Sequence, residues 1–283
     1  MKRILVTGAT GNVGRQVVSQ LLAIDDVRVR ALTRDPASAN FASPVEVMRG
    51  DLTVPETLDP CLDGVDAVFL VWTTDPSAIS SAVDRIAGYA RRIVFLSSPH
   101  QTPHPLFQQP NPLAKMHVEI ERLIKASGLD WTFLRPGMFA ANARSWWAPQ
   151  IRVGDVVRWP YAEAPTAPIH EADIARVAVR ALTETRHHGA EYVLTGPQSL
   201  TQREQVEIIG DVIGRSLRFE EISPETARQE LNFPTPALNM LLAAWAAALG
   251  QPALVTSTVA EITGAPARSF RDWVIDNVAE FTR

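Results

Sequence analysis

The chain has 283 residues, 46% of them hydrophobic and 20% charged, with a net charge of −4. That length supports a large core in one domain, or one domain with a smaller appendage, and the charge balance, without a basic run, excludes an electrostatic case for nucleic acid. The single cysteine, Cys61, excludes an internal disulfide and fits a reducing, cytoplasmic compartment.

The first element is the most informative. Ile4–Val6 is a short apolar strand, Thr7-Gly8-Ala9-Thr10-Gly11-Asn12-Val13-Gly14 a glycine-rich turn, and Val13, Val17, Leu21 and Ile24 mark one face of a following helix. A strand, this glycine spacing and a helix N-terminus form a cradle for the pyrophosphate of a dinucleotide. Gly8 permits the tight turn, Gly11 lets the backbone approach the phosphates, and Gly14 allows the helix to pack closely on the strand. The strand begins almost at Met1, so no targeting segment is expected.

Strand patterns follow at Val27–Leu32, Val45–Met48, Ala67–Trp72, Arg92–Ser97 and Trp131–Arg135, with helical patterns at Val13–Ala23, Ser77–Ala90 and Leu113–Ala126. Strands separated by helices predict an α/β fold with a doubly wound parallel sheet. Ligands on such sheets bind beyond the carboxyl ends of the strands. Between Pro99 and Pro112 lie five prolines in 14 residues, and this segment reads as a loop on the substrate side or a surface connection. The second half predicts helices at Glu171–Thr183, Thr201–Ile213 (with Thr201 and Glu204 as a capping box), Pro224–Leu231, Ala237–Leu249 and Phe270–Phe281, and strands at Glu191–Leu194 and Leu217–Ile222. The expected organisation is a Rossmann domain over 1–150, to which the chain returns around 168–195, and a smaller, mixed, mainly helical substrate-binding part over 151–283. The uncharged stretch Ala237–Leu249 has 13 residues, too few to span a bilayer, so no membrane partner is expected. It suits a buried helix, a lid or a dimer face, leaving monomer and homodimer open.

These motifs together resemble the NmrA-like group of atypical short-chain dehydrogenases: Thr7-Gly8-Ala9-Thr10-Gly11-x-x-Gly14, Arg34 after the second strand, Asp51-Leu52 after the third, and His117-x-x-x-Glu121 leading into Ser127-Gly128-Leu129-x-x-Thr132-x-Leu134-Arg135-Pro136. Tyr192-x-Leu194-Thr195-Gly196-Pro197 and Ile262-Thr263-Gly264 agree. The resemblance implies a Rossmann domain that binds NADP(H), in proteins divided between reductases, quinone reductases among them, and redox-sensing regulators that bind the cofactor without turnover. It places Asp51 and Leu52 against the adenine. The cofactor contacts expected are Gly8, Thr10, Gly11, Asn12, Val13, Arg34, Asp51, Leu52, Trp72, Thr73, His117 and Pro136.

Cofactor choice rests on Leu32-Thr33-Arg34-Asp35. Arg34 suits a 2′-phosphate through charge-assisted bonds worth about 1.5–3 kcal/mol, which favours NADP(H) over NAD(H). The alternative is a solvated Arg34 with Asp35 on the ribose.

The usual acid–base machinery of the wider superfamily, Tyr-x-x-x-Lys, is absent: none of Tyr89, Tyr161 and Tyr192 precedes Lys2, Lys115 or Lys125 at that spacing. His117 stands where the resembled group places its lysine or histidine, and Glu121, four residues later, shares its helical face. Glu121 is expected to orient the imidazole or favour its protonated form. His117 is then a proton donor, a ribose ligand or a structural histidine. Ser98, with Ser97 at the strand end, is the second catalytic candidate, a donor to a carbonyl or a loop cap. His100, Phe139, Asn142, Trp146 and Trp147 are expected to contact a small apolar or aromatic substrate, with the tryptophans alternatively core. His187-His188-Gly189 reads as an exposed turn, and no histidine spacing suggests a metal. The sequence reading is an NADPH-dependent oxidoreductase delivering hydride to a quinone, an enone or a related apolar carbonyl compound; the alternatives are a cofactor-sensing regulator and a non-reductive isomerase.

Overall fold

The computed structural model describes residues 1–41 and 44–282. In chain order the strands are β1 (Lys2–Val6), β2 (Val27–Thr33), β3 (Glu46–Arg49), β4 (Ala67–Leu70), β5 (Arg92–Leu96), β6 (Asp130–Pro136), β7 (Val156–Trp159), β8 (Pro165–Thr166), β9 (Ala190–Leu194), β10 (Leu200–Thr201) and β11 (Arg218–Glu221). The helices are α1 (Asn12–Leu21), α2 (Asp59–Leu62), α3 (Ile79–Tyr89), α4 (Pro112–Ala126), α5 (Asn142–Trp146), α6 (Ala148–Val153), α7 (Glu171–Thr183), α8 (Gln202–Ile213), α9 (Pro224–Glu230), α10 (Thr235–Ala248), α11 (Thr258–Thr263) and α12 (Phe270–Asp276).

Seven strands form one sheet in the order β3-β2-β1-β4-β5-β6-β9, and β1 to β6 pair in parallel. The order 3-2-1-4-5-6 is that of a doubly wound Rossmann sheet, with its topological switch between β1 and β4. The sheet strands are continuous apolar runs because both faces are covered: Ile4, Leu5 and Val6, and Val68, Phe69 and Leu70, have at most 1% exposure. On one face Leu5, Val68, Leu70, Ile93, Phe95 and Phe133 pack with Val83, Ile86, Ile120 and Ile124 from α3 and α4. On the other, α1 lies against α7, and the Gln20 amide donates to the Ala172 carbonyl at 2.9 Å.

The chain divides into two compact units. The first comprises 1–98, 112–136 and 171–193 and contains the large sheet. The second comprises 99–111, 137–170 and 194–283, so the proline-rich loop is part of it and it is nearly as long as the first. Its core is aromatic: Trp147, Trp159, Trp245 and Trp273 have at most 1% exposure, and Trp146 stacks on Trp159 at 5.9 Å. Besides helices it holds two small sheets, β8 with β10 and β7 with β11. The Thr201–Glu204 capping box forms as expected, and Gly214 closes α8 at φ 69°. The helix expected over Phe270–Phe281 stops at Asp276; Asn277 leaves helical geometry and a single 3-10 turn follows over Val278–Glu280. Among the described residues no helix is long and apolar enough to cross a membrane.

Candidate active site

The glycine turn leaves β1 at its carboxyl end. Gly8 has φ +58°, a left-handed backbone, and a Cβ there would stand 3.0 Å from Cβ of Val71. A Cβ on Gly14 would stand 2.1 Å from the carbonyl oxygen of Gly8, so α1 rests directly on the turn. Gly11 caps α1 with an extended backbone and no side-chain hydrogen bond. An anion fits where a capping side chain would otherwise stand. Gly8, Thr10, Gly11 and Asn12 are exposed, and Val13 is buried beneath them. The turn is pinned to the switch point by Thr7, a residue whose role the glycine pattern hides. Its hydroxyl accepts from Val71 N–H at 2.8 Å and donates to the Val71 carbonyl at 3.3 Å, tying β1 to the end of β4.

At the end of β2, Arg34 is exposed. Asp35 accepts from the Ala37 N–H at 3.1 Å and caps a short 3-10 turn. Asp51 also closes a turn, its Oδ1 accepting from the Thr53 N–H at 2.9 Å and hydroxyl at 2.8 Å. Those two hydrogen bonds, with the positive charge of Arg34, hold its carboxyl below the ordinary carboxylate range. Leu52 and Trp72 are 8% and 1% exposed and belong to the core of the first unit; the Trp72 indole donates to the Thr74 carbonyl at 3.1 Å. Thr73 is exposed and Pro136 buried at the end of β6.

The sheet brings Ser98 and His117 together. Ser98 follows β5, His117 sits on α4, and Oγ lies 2.8 Å from Nδ1. Phe95 meets the imidazole edge-on, with ring centroids 5.5 Å apart. From α4, Glu121 reaches partners on other elements. Its Oε1 accepts the Ser97 hydroxyl at 2.6 Å, and Arg135 grips both oxygens. Arg135 stands in the buried second half of β6, where a guanidinium demands a carboxylate; that was its available signal.

In the second unit Phe139 pairs with Ile169 by a single bridge and Asn142 opens α5. Both are half-buried, as is His100 in the proline-rich loop. Trp146 and Trp147 are 8% and 0% exposed and belong to the aromatic core. The loop is anchored at His104, whose Nδ1 accepts the Leu106 N–H at 3.3 Å while Nε2 faces the Pro252 carbonyl at 3.2 Å. His187 is not exposed as read from the sequence: it is 2% exposed and bonded to the Tyr192 hydroxyl at 2.9 Å. Among the described residues no group of three or more His, Cys, Asp or Glu is placed to hold a metal ion.

Sheet order, glycine turn and strand-end groups define a dinucleotide-binding Rossmann protein. Residues 1–253 match the NmrA-like family, and the chain belongs to it. It is 40% identical, over 98% of its length and 99% of the relative's, to a (4-alkanoyl-5-oxo-2,5-dihydrofuran-3-yl)methyl phosphate reductase of Streptomyces griseus. It is 34% identical, over 98% and 99% of the two chains, to an NAD(P)H azoreductase of Xenophilus azovorans. Its fold is shared with an Escherichia coli quinone oxidoreductase solved with NADPH, at TM-score 0.80 and 23% identity over 97% and 99% of the chains. With these relatives matched end to end, the chain is an NAD(P)H-dependent reductase of the atypical short-chain dehydrogenase type.

Proposed function

We propose that this reductase uses NADPH to reduce an electron-poor double bond conjugated to a carbonyl, in an enone, a quinone or a related apolar compound. The observation that carries the proposal is the Ser98–His117 hydrogen bond, in a chain without Tyr-x-x-x-Lys. When bound, NADPH supplies the hydride. The Gly8–Gly14 turn and α1 hold its pyrophosphate, and Arg34 its 2′-phosphate. Asp35 and Asp51 spend their carboxylates on turns, which supports Arg34 rather than an acid as the group that selects the cofactor.

An acceptor oxygen that gains negative charge needs a proton or a hydrogen bond. Ser98 supplies it outward from Oγ when Nδ1 of His117 carries the hydrogen and donates inward to that same oxygen. The pair thus works as a two-step relay: protonated His117 passes its Nδ1 proton to Ser98 as Ser98 passes its own to the acceptor, which leaves a neutral imidazole with its hydrogen on Nε2, reprotonated from solvent. Such a relay suits acceptors whose double bond is already activated, because a neutral hydroxyl is a weak acid. The 2,5-dihydrofuran-5-one named in the 40%-identical relative carries an alkanoyl group on the same double bond, a doubly activated enone, which supports the same class here.

The test is a panel of quinones, cyclic enones, butenolides and azo dyes followed by NADPH absorbance, beside a titration of NADPH binding. Reduction of conjugated carbonyl compounds, faster with NADPH than with NADH, is expected. Tight NADPH binding with no turnover on any acceptor overturns the proposal.

A further inference from the structure

Glu121 closes a ring around the Ser98–His117 hydrogen bond. It lies one helical turn after His117 on α4, and its Oε1 accepts the Ser97 hydroxyl at 2.6 Å. Ser97 is bonded to Ser98 through one peptide. The ring therefore runs from Ser98 to His117, along one turn of α4 to Glu121, across to Ser97 and back. Arg135, at the end of β6, clamps Glu121 with Nε at 3.0 Å from Oε1 and Nη2 at 2.6 Å from Oε2. The two side chains are 5% and 4% exposed. Nη1 of Arg135 reaches Glu191 at 2.7 Å, and Glu191 also holds Lys125 at 2.7 Å. Burial opposes the charge of Arg135, yet Glu121 and Glu191 outweigh it and hold its pKa above the usual value.

Such a dry ion pair is a poor means of stabilising a fold, because apolar residues of similar volume hold two elements together as well or better. What it adds is direction. A bidentate guanidinium–carboxylate pair accepts one relative geometry, and here it fixes the register of α4 against the ends of β5 and β6. A shift of α4 by a fraction of a turn would leave the packing of Ile120 and Ile124 apolar but break the bond from His117 to Ser98.

We infer that Glu121 and Arg135 are positioning residues for the reaction, acting through Ser97 and the register of α4 to keep Nδ1 of His117 on Oγ of Ser98. The inference rests on the reading of Ser98 and His117 as the proton-handling pair. It is tested by a double-mutant cycle on the full chain, with NADPH and menadione, or 2-cyclohexen-1-one if menadione is not reduced. Glu121→Gln is expected to lower kcat about tenfold with the KM for NADPH unchanged within about twofold; in a Ser98→Ala background the same change costs less than about twofold, because the bond it serves is already gone. Ser97→Ala removes one arm of the ring with little disturbance of the core, shows a smaller loss that also disappears in the Ser98→Ala background, and carries the cycle if Glu121→Gln does not fold. Arg135→Lys, which keeps the charge without the fork, retains more kcat than Arg135→Met. Equal losses in both backgrounds overturn the inference. Unchanged kcat in Ser98→Ala and His117→Ala, or no reduction of either acceptor by the wild type, withdraws the reading of the pair and the inference with it.

Discussion

Gly14 and Gly8 lie so close that a methyl group on the first would sit 2.1 Å from the carbonyl oxygen of the second. The obstacle is backbone, so relief requires α1 to move away from β1. Gly14→Ala is expected to cost about 1–3 kcal/mol of stability, the usual range for overpacking, and to weaken NADPH binding because the helix N-terminus moves with it. Denaturant unfolding and a binding titration check both. An unchanged affinity would show that the cradle tolerates the displacement.

Arg34 is the exposed cation at the end of β2 and lowers the pKa of Asp51 through space. Arg34→Ala is expected to weaken NADPH by about 10- to 100-fold, the worth of one charge-assisted contact, and to leave NADH nearly unchanged. Equal losses for the two cofactors would remove its role in selecting the 2′-phosphate.

Ser98 and His117 share one 2.8 Å hydrogen bond. His117→Ala is expected to lower kcat by about 100-fold, the lower end of what a positioned acid contributes. Because Ser98 keeps its hydroxyl in that variant, Ser98→Ala should cost at least as much. Stopped-flow measurement of hydride transfer on a conjugated acceptor decides this. Turnover that survives both changes would leave the reductase without this proton path.

His187 is buried between Tyr192 and Glu184. Burial lowers its pKa against the opposing pull of Glu184, with Arg186 and Arg92 lowering it further. Its folded-state pKa therefore lies below the unfolded value near 6.5, and the unfolded chain takes up the proton first. The stability it contributes is complete above about pH 6.5 and is lost as the pH falls through that depressed value. Urea unfolding at several pH values between about 8 and 5 should show a shallower acid loss for His187→Gln than for the wild type. Parallel curves would contradict it.

Elements whose signal is local were legible in the sequence. The glycine turn, the alternation of apolar strands with amphipathic helices, the span of α7 and the capping box on α8 each follow from neighbours within a few residues. The missing Tyr-x-x-x-Lys was also plain, since an absent motif needs no fold to detect. The end of α12 was misplaced because Asn277 breaks a pattern that stays apolar beyond it. His187 was read as exposed because its partners, Tyr192 and Glu184, gain meaning only once the turn before β9 folds back.

Read alone, then, the sequence carries a dinucleotide-binding turn at the head of a parallel α/β pattern, and no tyrosine four residues before a lysine. Only the tertiary structure decided which polar groups meet. Glu121 stands four residues after His117, and its carboxylate meets Arg135 of β6 and Ser97 just past β5, 14 and 24 residues away in sequence. A buried charge goes to the partner that desolvation makes strongest, and that choice is settled by which strand ends the sheet sets side by side.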